Sequence, residues 1–137
     1  MSTNKTPLNH RLVYNLPSTP ESGRNSEGSF LRAPDGAILF AYSHYNTAFS
    51  HDNSPCDIAM IRSEDEGEHW SEPVIIARAA DFGVNNVMSV SGMTLTDGRS
   101  CFFFIIKNDS DGSSWLGRAI SDDGIHFTTS KCGAKNV

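Results

Sequence analysis

Short runs of alternating apolar and polar residues, separated by Gly, Pro and Asp turns, fill most of the chain. No stretch has the three-to-four-residue apolar spacing of an amphipathic helix. Asp35-Gly36 and Asp97-Gly98 each separate two strand-like runs, and Asp-Gly in that setting predicts a β-hairpin. The pattern therefore predicts an all-β protein with strands at residues 29–33, 37–43, 57–62 and 73–77, then 87–95, 100–106 and 114–120.

The strand pattern repeats along the chain. The two Asp-Gly turns are 62 residues apart, whereas two further pairs of positions, Gly67 with Gly124 and Trp70 with Phe127, are 57 residues apart. The difference falls in the loop between the second and third strands, where insertions are tolerated. Four short strands in a unit of this length are typical of a β-propeller blade.

The repeat predicts three regions. Residues 1–28 would hold a mobile tail (1–9) and a strand (10–16) that closes the propeller; residues 29–80 would form a first blade; residues 81–137 would form a truncated second blade. Two blades cannot close a ring, and each blade has apolar faces that need neighbours. We therefore expect the remaining propeller blades, or self-association, to be partners of this chain.

An eight-residue turn, residues 63–70, has the pattern S-x-D-x-G-x-x-W. Ser63 and Asp65 have short side-chain acceptors for backbone N–H groups, and Gly67 tolerates positive φ. Trp70 supplies a large ring that packs the turn onto its neighbours. A degenerate second copy is predicted at 120–127, in which Ile120 replaces the serine and the matching positions are Asp122, Gly124 and Phe127.

Composition and charge exclude several classes of protein. Of 137 residues, 38% are hydrophobic and 20% are charged, as in soluble globular proteins. A net charge of −5 without a basic block argues against nucleic-acid binding, and no apolar run is long enough to span a membrane. Three cysteines (Cys56, Cys101 and Cys132) without C-x-x-C spacing indicate neither disulfides nor zinc. We expect no cofactor or metal and, since no signal peptide is seen, a cytoplasmic location.

The turn at 63–70 resembles the Asp box, or bacterial neuraminidase repeat, and segments 25–36 and 86–91 resemble bacterial exo-sialidase-like proteins. The resemblance covers about residues 10–127. It implies a six-bladed sialidase-type β-propeller, of which about two four-stranded blades are present. In sialidases the Asp box lies on the rim away from the active site. Three arginines bind the substrate carboxylate, an Asp is the acid/base, and a Tyr–Glu pair supplies the nucleophile.

The resemblance implies a catalytic role for Asp52, which lies 11 residues before Ser63, near the place of the sialidase acid/base. A partly desolvated carboxyl there would be protonated and could donate to a leaving oxygen; the alternative is a solvated or turn-capping Asp. The first triad arginine aligns with Ser26, so Arg24, two residues earlier, is the substitute, or else a solvent-facing residue. Glu27 would oppose an anionic sugar unless Arg24 pairs with it.

Further substrate contacts follow from the same resemblance. His44 takes the place of a second site arginine, with an ordinary surface histidine as the alternative, and Asn86 and Ser89 open the second blade as sugar contacts. Arg62, Arg99 and Arg118 lie in or beside strands and are expected at the surface. The Tyr–Glu pair and the later arginines are not identifiable.

Two functions are consistent with these residues. One is a sialidase-like exo-glycosidase that acts on terminal sialic acid or a related anionic sugar, present here as an N-terminal fragment that is inactive alone. The other is a non-catalytic Asp-box module that binds glycans or proteins.

Overall fold

The computed structural model describes residues 11–48 and 51–136. Within them the chain is all-β, as predicted, and its one helical element is a 3₁₀ turn at Ala79–Phe82. The predicted mobile tail 1–9 lies outside the described residues. The eight strands are β1 Asn25–Arg32, β2 Ile38–Tyr45, β3 Cys56–Ser63, β4 Val74–Ala77, β5 Asn86–Thr94, β6 Ser100–Asn108, β7 Ser113–Ser121 and β8 Thr128–Lys135.

The strands form two consecutive antiparallel units. In the first unit β1 pairs with β2, β2 with β3 and β3 with β4, and β5 to β8 pair in the same order in the second unit. The two units are joined by a parallel bridge between Cys56 of β3 and Asn86 of β5. Each unit therefore has the four-stranded meander that the repeat predicted.

The starts and the ends of the strands lie at two opposite rims of each unit. β1, β3, β5 and β7 begin at one edge, which we call the loop rim, and end at the other, which we call the turn rim. The residues that open β1 and β5 and the loop before β3 therefore lie at the loop rim. The Asp35-Gly36 hairpin and the 63–70 turn lie a strand length away at the turn rim.

The main core lies between the two units. Alternation along β2 and β3 places Leu39 and Met60 on the face that meets the second unit, where Phe102 and Phe104 of β6 are also buried. Gly92 of β5 allows this close approach, because a Cβ there would lie 2.8 Å from the Phe102 ring and 3.2 Å from the Cβ of Leu31. Burial of these apolar side chains stabilises the packing of one unit on the other.

The opposite face of the first unit is covered by the segment before β1. Tyr14 and Leu16 pack on the buried Tyr42, and the Tyr14 ring lies edge-on to Trp70 with centroids 6.4 Å apart. The prediction of a strand at 10–16 is wrong for residues 11–16, which have no strand structure. A strand needs a neighbour that satisfies its backbone groups, and no described strand pairs with this segment.

Candidate functional site

Arg24 joins three parts of the loop rim. Its Nη1 donates to Oδ1 of Asp52 at 2.7 Å, and its Nη2 donates to Oε1 of Glu27 at 3.1 Å. The guanidinium also lies over the fully buried Tyr45 ring, 4.7 Å from its centroid. We call Arg24, Glu27, Asp52 and Tyr45 the Arg24 clamp. The clamp ties the start of β1 to the end of β2 and to the loop before β3.

A bulge in β1 positions Glu27. The β1–β2 register shifts between Ser26 and Gly28, and Glu27 between them has a left-handed φ of 36°. Ser26 Oγ donates to Glu27 Oε2 at 2.7 Å. β1 therefore begins at Asn25 and includes residues 25–28, four residues before the start that the sequence pattern predicted. The bulge keeps the Glu27 carboxylate beside Arg24.

The Asp52 carboxyl is ionised rather than protonated. The hydrogen bond from Arg24, with its positive charge, lowers the pKa of Asp52, and the Asp52 side chain is 70% exposed. The sequence left two alternatives for Asp52, a partly desolvated carboxyl that would be protonated and a solvated one. The carboxylate is solvated and has a cationic partner, which is the second alternative.

The second unit holds the loop that carries Asp52. Asn86 Nδ2 donates to the carbonyl oxygens of Ser54 at 2.7 Å and of Asp52 at 3.2 Å, and Lys107 Nζ donates to the Asp52 carbonyl at 2.8 Å and to Asn53 Oδ1 at 2.6 Å. Asn86 is fully buried, and its Oδ1 has no donor among the described residues. These hydrogen bonds anchor the loop to Asn86, and the complete burial of Asn86 corrects its prediction as a sugar contact. Lys107 was not anticipated from the sequence.

His44 lies on the other face of the sheet from the clamp. Its neighbour Tyr45 packs under Arg24, and successive residues of a strand point to opposite faces. His44 Nδ1 is 2.8 Å from Asn25 Oδ1, and burial lowers the pKa of His44, an effect that the Asp57 carboxylate opposes. His44 therefore lies at the same rim as Arg24 and Asp52, on the face of the sheet that does not carry the clamp.

A cleft of about 800 Å³ opens beside the Asp52 loop. Ser89 lies in it with a left-handed φ of 58°, next to a register shift in β5, and its N–H donates to Ser43 Oγ at 3.0 Å. The cleft thus combines loop residues of the first unit with strand ends of the second. Its lining comprises Asp52, Asn53, Met88, Ser89, Ile105, Lys107, Asn108, Asp109, Gly112, Ser113 and Ser114.

The 63–70 turn at the opposite rim is held by its own side chains. Ser63 Oγ donates to Asp65 Oδ1 at 2.9 Å and accepts the N–H of Gly67 at 2.8 Å. Asp65 Oδ1 accepts the N–H of His69 at 2.8 Å, and Trp70 Nε1 donates to the Gly67 carbonyl at 3.0 Å. These short-range bonds close the turn. The turn lies a strand length away from the clamp, at the opposite rim.

The second turn repeats this network one residue later than predicted. Ser121 Oγ donates to Asp123 Oδ1 at 2.9 Å and accepts the N–H of Gly124 at 2.8 Å, and Asp123 Oδ1 accepts the N–H of His126 at 2.8 Å. Ser121 and Asp123 therefore take the places of Ser63 and Asp65, and Asp122 is not part of the network. The alignment missed this because the second turn has one residue fewer between its Asp and its Gly.

In residues 11–48 and 51–136 no group of three or more His, Cys, Asp or Glu side chains could hold a metal ion. No helix within those ranges has the length and apolar character needed to cross a membrane.

No protein-family model and no curated protein matches the chain. Three solved structures are similar in fold. A Hadza microbial sialidase has a TM-score of 0.61 at 18% identity, covering 85% of this chain and 25% of that one. A family 117 glycoside hydrolase of the marine bacterium Zobellia galactanivorans has a TM-score of 0.62 at 13% identity, covering 83% and 34%. A protein of unknown function from Dyadobacter fermentans has a TM-score of 0.61 at 18% identity, covering 87% and 38%.

These similarities show the fold. The sialidase and the glycoside hydrolase have propeller-type folds, and the chain has the fold of part of such a propeller. It spans between 25% and 38% of the length of the three structures. The chain is thus an all-β partial propeller.

Proposed function

We propose that the loop rim binds the terminal sugar of a glycan and that the complete propeller is an exo-glycosidase. One observation carries the proposal: the Arg24 clamp and Ser89 lie beside a cleft of about 800 Å³ at the loop rim, away from the 63–70 turn. A concave surface with a few convergent polar groups is the usual form of a small-molecule binding site. The similarity to a sialidase and to a glycoside hydrolase supports the same class of substrate.

Asp52 is our candidate for the acid/base of this reaction. Its carboxylate is exposed and ionised, which suits the general-base half of a glycosidase cycle. The acid half requires that the contact with Arg24 opens, because only a protonated carboxyl can donate to the leaving oxygen. The nucleophile would come from outside the described residues.

Binding without catalysis is the second candidate function. It is favoured by the pKa of Asp52, which the Arg24 hydrogen bond lowers instead of raising. In both proposals the 63–70 turn is an Asp box with a structural role, and the ring is completed by further blades or by further copies of the chain.

Turnover of natural-linkage glycosides and of 4-nitrophenyl glycosides by the complete propeller separates the two candidates. The enzyme proposal predicts that Asp52→Asn removes most turnover of the natural-linkage glycosides and keeps binding of the matching methyl glycoside. Turnover of 4-nitrophenyl glycosides should fall less, because their leaving group needs little protonation. Asp122→Asn, which removes a carboxylate at the opposite rim, should keep both. Sugar binding by the complete propeller without any turnover would establish the binding module, and absence of both would contradict the proposed site.

A further inference from the structure

The charge arrangement of the Arg24 clamp defines the class of sugar that the loop rim accepts. We infer that the bound sugar is neutral, and that the clamp recognises its hydroxyl groups through carboxylate oxygens instead of recognising a sugar carboxylate through Arg24. This inference rests on the proposed sugar-binding function of the rim.

Arg24 is already neutralised within the chain. Two of its N–H groups donate to the carboxylates of Asp52 and Glu27, and one face of the guanidinium is covered by Tyr45. A sugar carboxylate needs a free guanidinium edge for bidentate binding. To use that edge the sugar would have to displace a carboxylate that stays attached to the same rim.

The carboxylates outnumber the cations at this rim. The charged side chains of the clamp and of the cleft lining are the cations Arg24 and Lys107 and the carboxylates Glu27, Asp52 and Asp109. Their formal sum is one negative charge. The Lys107 ammonium already donates to the Asp52 carbonyl and to Asn53 Oδ1. An anionic sugar would therefore meet a net repulsion, which at a few ångströms in water weakens binding by about fivefold to tenfold.

The same carboxylates suit hydroxyl groups. An ionised carboxylate offers about four acceptor positions. The clamp uses Oδ1 of Asp52 for Arg24, and the side chain of Asp52 is 70% exposed. A sugar hydroxyl can therefore donate to the remaining positions without displacing Arg24. Ser89 adds a hydroxyl on the cleft side.

A matched pair of ligands tests the inference. Methyl glucoside and methyl glucuronide differ only in the replacement of a CH₂OH group by a carboxylate, and other neutral methyl glycosides and the methyl glycoside of N-acetylneuraminic acid extend the comparison. Calorimetric titration of the chain at low ionic strength should show binding of a neutral glycoside that is about tenfold tighter than binding of its anionic counterpart. Added salt should reduce the difference, because salt screens exposed charges.

Charge-removing variants identify the groups responsible. Glu27→Gln and Asp52→Asn each remove one negative charge from the clamp, so each should narrow the difference between the two ligands. Asp122→Asn removes the same charge at the turn rim and should leave the difference unchanged. If Asp52→Asn disturbs the loop, Glu27→Gln still tests whether removing a negative charge from the clamp narrows the affinity difference between the two ligands.

The outcomes separate the inference from the proposed function. Equal or tighter binding of methyl glucuronide or of the N-acetylneuraminic acid glycoside would overturn the inference and leave a sugar site in place. Absence of binding for every glycoside at millimolar concentration would overturn the proposed function itself.

Discussion

Glu27 and Ser89 occupy equivalent positions of the two units, 62 residues apart, and both have left-handed backbone, with φ of 36° and 58°. The spacing equals that between the Asp-Gly hairpins. Each residue lies next to a register shift in the first strand of its unit. Non-glycine residues in this conformation are uncommon and often occur at functional sites. The repeated bulge is thus a built feature of the loop rim.

The Ser89 bulge gives a matched set of stability measurements. Ser89→Val should lower the free energy of unfolding by about 1–2 kcal/mol, because a β-branched residue is strained at positive φ. In Ser89→Gly the glycine should adopt the positive φ without strain, so that only the hydroxyl is lost. Ser91→Val, in the same strand without positive φ, is the control and should be near neutral. Urea denaturation checks the series; equal stability of the two valine variants would contradict a strained Ser89.

The one-residue shift in the second turn predicts different roles for two adjacent aspartates. Asp123→Asn should lower the thermal unfolding midpoint, because Asp123 accepts backbone N–H groups of Ile125 and His126. Asp122, 89% exposed in its side chain, should be replaceable by Asn without effect. Equal midpoints for the two variants, or a larger loss for Asp122→Asn, would restore the alignment that places Asp122 in the turn.

The first turn predicts a loss of stability in acid. Bonds from the backbone N–H and the ring of His69 lower the pKa of Asp65 from its ordinary value of 3.8 to about 2. A lowered carboxyl pKa adds stability that is fully present above about pH 4 and is lost as the pH falls toward 2. Asp65→Asn should therefore destabilise the chain at pH 7, and the difference from the parent should disappear near pH 2. A difference that stays constant from pH 7 to pH 2 would show that the charge of Asp65 is not involved.

Exposed apolar side chains on the outer face of the second unit predict that copies of the isolated chain associate with one another. Met93 is 50% exposed, and Phe103 is only partly buried. In a ring such a face packs on the next blade, and here it would favour contacts between copies. Sedimentation velocity should show a weight-average mass that rises with concentration. Met93→Lys should reduce the association, whereas a monomer at all concentrations would contradict an incomplete ring.

Local pattern was sufficient to predict most of the strands. Alternation and the Asp-Gly hairpins located β2, β3 and β6 to within a few residues, because these signals depend only on nearby sequence. The segment 11–16 failed because its apolar residues pack on Tyr42 without a strand neighbour. Contacts between segments that are far apart along the chain cannot be predicted from one sequence alone.

The rim at which the candidate site lies could be predicted from the sequence, whereas the ionised state of its carboxylates could not. The position of Asp52 before β3 follows from strand order, and the opposite face of His44 could have been inferred from its adjacency to Tyr45. The ionised state of Asp52 depends on Arg24, 28 residues away, so no local signal indicates it. Arg62 was expected at the surface, yet its side chain is 11% exposed because Asp35 and Glu64 both pair with it.

The most direct test of the account is a map of backbone amide shifts as the labelled chain is titrated with a neutral methyl glycoside. The account predicts perturbations at the loop rim, at Asp52, Asn53, Ser89 and Lys107. Amides of the turn rim, at Gly67 and Gly124, should not move. Perturbations confined to the turn rim, or of equal size at both rims, would contradict the assignment of the loop rim as the sugar-binding side.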